Sequence, residues 1–125
     1  MVNQQSVSIR KGTDDDLEIL SELGTRLFSE QNPSESIESD RSRKKIFNKM
    51  HSDGHAFIFE INDRIIGYSL VSQKNDPLNI EEFFIIPEER GKYYGNEAVV
   101  LLSEVTNWKS VKVESPVWRA MAGGM

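Results

Sequence analysis

The sequence predicts a single mixed α/β domain in which helices flank one mixed β-sheet. The chain has 125 residues, the length of one ordinary domain, and it contains no internal repeat. Its apolar residues follow the periods of strands and helices in the order strand, two helices, three strands, helix and strand. That order is typical of helices packed on one sheet. We therefore assign residues 1–125 to one domain, of which 116–125 form a short tail without clear periodicity.

The composition excludes several classes of protein. Hydrophobic residues make up 38% of the chain and charged residues 28%, as in a globular protein. The sequence lacks cysteine, which excludes disulfides, thiolate metal sites and a cysteine nucleophile. Its net charge of −5 argues against nucleic acid as the main partner and mildly favours cationic small molecules. No apolar run approaches the roughly 20 residues that span a bilayer and no signal-peptide core is present, so we expect a cytoplasmic protein.

The first half of the chain predicts a short strand and two helices. Val7 and Ile9 alternate with polar residues, as in a half-buried strand. Thr13 is a good N-cap for a helix over about 14–29. That helix carries four leucines at helical spacing, namely Leu17, Leu20, Leu23 and Leu27. A second, very polar helix over about 35–50 has few apolar residues, so we expect it to lie loosely on the surface.

The second half predicts three strands, a helix and a last short strand. Two β-rich runs flank Asn62 and Asp63, which tolerate the left-handed angles of a tight hairpin turn. Gly67 interrupts the second run and indicates a bulge or a close backbone approach. A further strand is expected over 80–86, a helix from near Gly95, and a short strand at "VKVES".

The strand over 80–86 leads directly into an unusual turn, "RGKYYG", at the start of the next helix. The first amides of a helix lack intrahelical acceptors and lie at the positive end of its dipole, which favours anions. Gly91 and Gly95 let a phosphate approach the backbone, while Arg90 and Lys92 add positive charge. The segment therefore predicts a pyrophosphate site, with a plain solvated turn as the alternative.

This turn and its strand, "IEEFFIIPEERGKYYG", resemble motif A of the GNAT superfamily of N-acetyltransferases. The family pattern is Gln/Arg-x-x-Gly-x-Gly/Ala, and Arg90 and Gly95 hold its outer positions. The resemblance covers the order of elements from residue 6 to about 114, including "VSIRKGTDDDLEIL" and "IIGYSLV". It implies a GNAT-like, mostly antiparallel central sheet flanked by helices. Tyr93 departs from the pattern because it occupies the position of the first glycine, where its side chain is expected to crowd the loop.

The resemblance also implies acetyl-CoA, or another acyl-CoA, as co-substrate, and no metal. The pyrophosphate would bind amides of residues 91–96, and the pantetheine arm would pair like an added strand along Ile85 and Ile86. An amide near one of these two residues would polarise the thioester carbonyl. The residues implied in cofactor binding are Ile85, Ile86, Arg90, Gly91, Lys92, Tyr93, Tyr94, Gly95 and Asn96.

The activity implied is transfer of an acetyl group to a primary amine by direct attack in a ternary complex. Glu81 and Glu82 are the candidate general bases, acting directly or through water. Adjacent strand residues point to opposite faces, so at most one should face the acceptor. Glu81 is preferred because, counted back from Pro87, it matches a position where several family members carry a glutamate. The acidic net charge favours a cationic acceptor, such as a polyamine, an aminoglycoside or a lysine side chain.

The C-terminal segment departs from the family. In the family, the usual general acid is a tyrosine after the fifth strand, and "SPVWRAMAGGM" contains no tyrosine. Tyr93 and Tyr94 are the other candidates for the general acid, but they are poorly placed in the turn. The family usually continues with a helix and a hairpin, so the domain is expected to be C-terminally abbreviated. An exposed last strand then predicts a homodimer that completes the sheet. The alternative function is a catalytically silent acyl-CoA-binding or protein-interaction module with the same fold.

Two other patterns are interpreted as structural. His51 and His55 have the spacing of a helical metal pair, but "SDG" between them ends the helix, so we expect no metal site. The basic run "RSRKK" at 41–45 is expected to form a solvated helix face rather than a nucleic-acid site.

Overall fold

A five-stranded sheet forms the centre of the fold. The computed structural model describes residues 6–34, 39–52, 54–72, 78–106 and 111–113. Its elements are β1 (Ser8–Lys11), a 3-10 turn (Asp14–Asp16), α1 (Leu17–Gln31), α2 (Ser39–Met50), β2 (Gly54–Ile61), β3 (Arg64–Ser72), β4 (Leu78–Ile85), a 3-10 turn (Pro87–Glu89), α3 (Tyr94–Thr106) and β5 (Val111–Val113). The strands lie in the order β1-β2-β3-β4-β5. β1 to β4 pair antiparallel and β5 pairs parallel to β4, so the predicted mixed, mostly antiparallel sheet is confirmed.

The junction between β1 and α1 is built around one carboxylate. Thr13 begins the 3-10 turn, and its amide donates a hydrogen bond of 2.8 Å to Asp16. The Arg10 guanidinium donates two more, at 2.8 and 2.9 Å, and lowers the pKa of Asp16 from 3.8 to about 2. The predicted cap at Thr13 thus acts on the short turn that leads into α1, rather than on α1 itself.

The predicted hairpin between β2 and β3 is confirmed. Asn62 and Asp63 have φ angles of 50° and 65°, the left-handed conformation that a tight two-residue turn requires.

The two faces of the sheet are covered by different helices. Ala98 and Leu102 of α3 pack on one face, against Phe59 and Phe83. α1 and α2 cover the other face, which includes Tyr68, Leu70 and Phe84. The four leucines predicted for the inner side of α1 are all buried there: Leu17, Leu20, Leu23 and Leu27.

Helix α2 is more firmly attached than its sequence indicates. Ile46 is only 1% exposed and belongs to the core between α1 and the sheet, so the prediction of a loosely held helix was wrong. Ile46 and the partly buried Met50 pack this side of the helix on the core, and Lys45 and Lys49 add ion pairs to β4. Arg41 and Arg43 of the basic run are exposed, as expected.

Some expectations concern parts of the chain that are not described. The tail 116–125 lies outside the described residues. Within the helices that are described, no segment has the length and apolarity needed to cross a membrane.

Gly67 allows β3 and β4 to approach each other closely. A Cβ atom there would overlap the Phe84 carbonyl oxygen. The register between β2 and β3 also shifts beside it, so that Ile66 has no pairing residue on β2. The sequence left a bulge and a close approach as alternatives, and the structure has both.

We expect Gly67→Ala to lower the free energy of unfolding by about 2–4 kcal/mol, because the added methyl group meets backbone rather than a movable side chain. Urea denaturation followed by circular dichroism measures this. The matched control is Gly24→Ala in α1, where the nearest atoms are side-chain ends at 3.3 and 3.4 Å and alanine is the better helix former. A loss from Gly67→Ala no larger than that from the control would contradict the close approach.

Candidate functional site

The turn before α3 contains two residues in the left-handed backbone conformation. β4 ends at Ile85, and a 3-10 turn over Pro87–Glu89 leads to α3, which begins at Tyr94. Gly91 and Tyr93 have φ angles of 81° and 67°. The chain therefore reverses sharply, and the first amides of a 13-residue helix lie next to the turn. The predicted helix start near Gly95 is confirmed to within one residue.

Tyr93 adopts the left-handed conformation that the glycine of the family pattern would adopt without strain. For a residue with a Cβ atom this conformation costs roughly 1–2 kcal/mol. The residue is 68% exposed, so its side chain extends toward solvent. The departure from the pattern therefore creates backbone strain more than crowding of the loop.

The two basic side chains of the turn are engaged by neighbouring groups. Arg90 donates from Nε to the Ile85 carbonyl at 2.8 Å and from Nη2 to the Glu30 carboxylate at 2.8 Å. Its guanidinium also lies 5.4 Å from the centre of the Phe84 ring, within cation–π range. Lys92 donates to Glu89 at 3.3 Å. Arg90 thus fastens the turn to β4 and α1, and Lys92 is paired with Glu89 within the turn.

Glu89 is a positioning group that the sequence analysis missed. It is 5% exposed and accepts a hydrogen bond of 2.6 Å from Arg64 at the end of the β2–β3 hairpin. This bond, together with the bond from Lys92, lowers the pKa of Glu89 below its ordinary value. The carboxylate therefore stays charged at neutral pH and links the turn to the hairpin. The only sequence signal was an acidic residue beside the basic turn.

One edge of β4 is open where the predicted thioester would lie. β5 pairs with β4 only at Leu78–Ile80, and no described residue pairs with the rest of that edge. The Ile86 amide donates to the Ile66 carbonyl at 2.8 Å, on the β3 side. Since consecutive residues of a strand direct their amides to opposite sides, the Ile85 amide faces the open edge. Of the two amides proposed from the sequence, the geometry therefore selects Ile85.

Glu81 and Glu82 lie on the same face of the sheet. The register between β3 and β4 shifts so that Glu81 is an extra residue, a β-bulge. Both carboxylates consequently reach α2: Lys49 donates to Glu81 at 2.7 Å and Lys45 donates to Glu82 at 2.5 Å. The expectation of opposite faces was wrong because it assumed a regular alternation.

Glu82 is the carboxylate that faces a pocket. Tyr68 donates its hydroxyl to Glu82 Oε1 at 2.5 Å, and burial together with the Glu82 charge raises the pKa of Tyr68 well above its ordinary value. The tyrosine thus remains a hydrogen-bond donor to the carboxylate. The pocket has a volume of about 400 Å³, within the range of small-molecule sites. It is lined by Gly24, Leu27, Phe28, Gln31, Arg41, Ser42, Lys45, Ile46 and Glu82.

Glu81 has a different environment. The Ser72 hydroxyl and Lys49 both donate to the same oxygen, Oε2, and Glu81 does not line the pocket. The two lysines on α2 are four residues apart, on one helix face, which was the available signal that they act together. The sequence contained no indication of the role of Tyr68, because a tyrosine in a predicted strand is interpreted as a core residue.

The remaining candidates have structural partners. Tyr94 is the first residue of α3, and its side chain is 7% exposed and packs in the core between α3 and the sheet. His51 lies 2.9 Å from Asp14, and no cluster of metal-ligating side chains occurs in the described parts of the chain.

Comparison with solved structures identifies the fold of this chain. A possible acetyltransferase of Clostridium difficile superposes with a TM-score of 0.71 at 14% identity, covering 87% of this chain and 79% of that one. A GNAT family acetyltransferase of Staphylococcus aureus gives 0.68 at 22% identity, covering 88% and 87%. A predicted acetyltransferase of Clostridium acetobutylicum, solved with acetyl-CoA, gives 0.67 at 17% identity, covering 90% and 86%. No protein-family model and no curated protein matches the sequence. The chain thus has the GNAT acetyltransferase fold.

We expect Tyr93→Gly to raise the free energy of unfolding by about 0.5–1 kcal/mol, because glycine relieves the strain of a positive φ and little packing is lost from an exposed ring. Tyr93→Ala is the matched control, since it removes the ring but keeps the Cβ atom. It should give no gain. Equal stability of the two variants in urea denaturation would contradict a strained backbone at Tyr93.

Proposed function

We propose that this chain is an N-acetyltransferase that transfers an acetyl group from acetyl-CoA, or another acyl group from its CoA thioester, to a primary amine. One observation carries the proposal: three features meet along β4. The turn into α3 follows its end, the Ile85 amide faces its open edge, and the Glu82 carboxylate faces the pocket. The three neighbours reported above are named acetyltransferases, which supports general acyl transfer.

The co-substrate would bind along the open edge and the turn. Its pyrophosphate would accept hydrogen bonds from amides of residues 91–96, with Arg90 and Lys92 keeping the turn in place. Its pantetheine arm would pair with β4 beyond Ile80. The Ile85 amide would then donate to the thioester oxygen and stabilise the negative charge that develops there.

The acceptor would enter the pocket between α1 and α2. Its ammonium group would replace Lys45 at Glu82, which then accepts one proton directly or through water. The free amine attacks the thioester carbonyl carbon and forms a C–N bond. As the C–S bond breaks, the second proton of the nitrogen leaves with the sulfur. The products are the acetylated amine and CoA with a free thiol.

Glu82 is the base in this proposal, although the sequence alone favoured Glu81. Only Glu82 lines the pocket, whereas Glu81 is held by Lys49 and Ser72 outside it. Tyr93, at the position where the family pattern has glycine, favours the second candidate function, a silent module that binds acyl-CoA without turnover.

Coenzyme A should bind to the wild-type protein in calorimetry, and free thiol should appear with acetyl-CoA and a panel of amines. Glu82→Gln should then lower kcat by at least about a hundredfold, because the amide cannot accept the proton. The matched control is Glu81→Gln, the same change on the neighbouring residue, which should keep kcat within a few fold. Both variants should bind coenzyme A as the wild type does.

Three results would redirect the proposal. Coenzyme A binding without thiol release would support the silent module. Loss of activity in Glu81→Gln, with Glu82→Gln active, would move the base to Glu81. No heat with coenzyme A at millimolar concentration would remove the cofactor site, and with it the proposed function.

We also propose that the chain forms a homodimer. β5 is the last strand of the described sheet, and no described residue pairs with its outer edge. Unpaired edges are commonly covered by another chain. Light scattering should give about twice the monomer mass of 14.3 kDa, and a stable monomer at that mass would contradict the proposal.

A further inference from the structure

The pocket in front of Glu82 has a positive charge balance. Three of its lining residues are charged: Arg41, Lys45 and Glu82. Lys45 and Glu82 neutralise each other at 2.5 Å. Within the part of the chain that the structure describes, no carboxylate lies within ion-pair distance of Arg41. Among the described residues, the pocket lining therefore carries a net charge of +1, although the chain as a whole carries −5.

The arrangement suits a ligand that carries both signs of charge. Arg41 and Lys45 are four residues apart on α2, so their side chains leave the same face of the helix about one turn apart. An ammonium group that takes the place of Lys45 at Glu82 releases the lysine charge toward the pocket. Lys45 and Arg41 can then share one anionic group of the same ligand.

The uncharged walls of the pocket indicate what the ligand carries besides its two charged groups. Leu27, Phe28 and Ile46 line the pocket with apolar surface. A volume of about 400 Å³ holds more than the two charged groups alone. A polyamine would bring further cations next to Arg41, where they would be repelled.

We propose that the acceptor is a zwitterion, a small amino acid with an apolar side chain. Its amine lies at Glu82 and its carboxylate at Arg41 and Lys45. This inference rests on the proposed function and replaces the cationic acceptor expected from the net charge. The local charge of the pocket, rather than the charge of the whole chain, then selects the substrate.

The test compares amino acids with the amines that lack only the carboxylate. L-leucine is paired with isopentylamine, and L-phenylalanine with 2-phenylethylamine. Binding is measured by calorimetry without CoA, and kcat/KM by thiol release with acetyl-CoA. We expect each amino acid to bind at least about tenfold more tightly than its amine, the size of effect that one charge-assisted hydrogen bond gives.

Variants of α2 assign this preference to one residue. Arg41→Gln should reduce the ratio of the two affinities to near one, and Arg41→Lys should keep most of it. Arg43→Gln is the matched control, because it removes the same charge from the same helix but from a residue that does not line this pocket. It should leave the ratio unchanged.

The outcomes separate this inference from the proposed function. Amines that bind and react as well as the amino acids, with thiol release intact, would overturn the zwitterion and leave the acetyltransferase standing. A preference that survives Arg41→Gln would also overturn it. Absence of coenzyme A binding would remove the acetyltransferase, while an amino-acid preference that is lost in Arg41→Gln would still support the charge assignment of the pocket.

Discussion

The register between β3 and β4 slips by one residue, because Glu81 inserts between the pairs Leu70–Glu82 and Val71–Ile80. In a regular strand one of the two adjacent glutamates would face α3, where apolar side chains form the core. A carboxylate without a partner in that core would be costly. The bulge instead brings both carboxylates to α2, where lysines neutralise them. The bulge therefore keeps Glu81 out of the apolar core under α3, on the same face of the sheet as Glu82.

The turn before α3 depends on its attachment to the rest of the molecule. Arg90 contacts the Ile85 carbonyl, the Glu30 carboxylate and the face of the Phe84 ring. Three different kinds of contact leave its guanidinium little freedom, and they hold the turn against β4 and α1. A strained residue such as Tyr93 persists only where its surroundings determine the backbone. The contacts of Arg90 therefore help to hold the turn in which the backbone of Tyr93 is strained.

Net charge and local charge have different consequences for this protein. The chain carries −5, yet the carboxylates nearest the turn and the pocket are paired with cations, as at Glu30, Glu82 and Glu89. Charges on the general surface act at long range and are screened over about 8 Å in physiological salt. Groups inside a pocket act at contact distance on a ligand that excludes water. An acidic protein can therefore offer a cationic site.

The sequence by itself determined the order of elements, the hairpin at Asn62 and Asp63 and the turn that starts α3, because periods, caps and turn residues act between near neighbours. The sequence also indicated that a β4 carboxylate, from Glu81 or Glu82, is the candidate general base. Only the tertiary structure decided the faces of Glu81 and Glu82 and the partner of each. Lys45 and Glu82 are 37 residues apart, so their pairing follows from the docking of α2 on the sheet and from a register that no local pattern encodes.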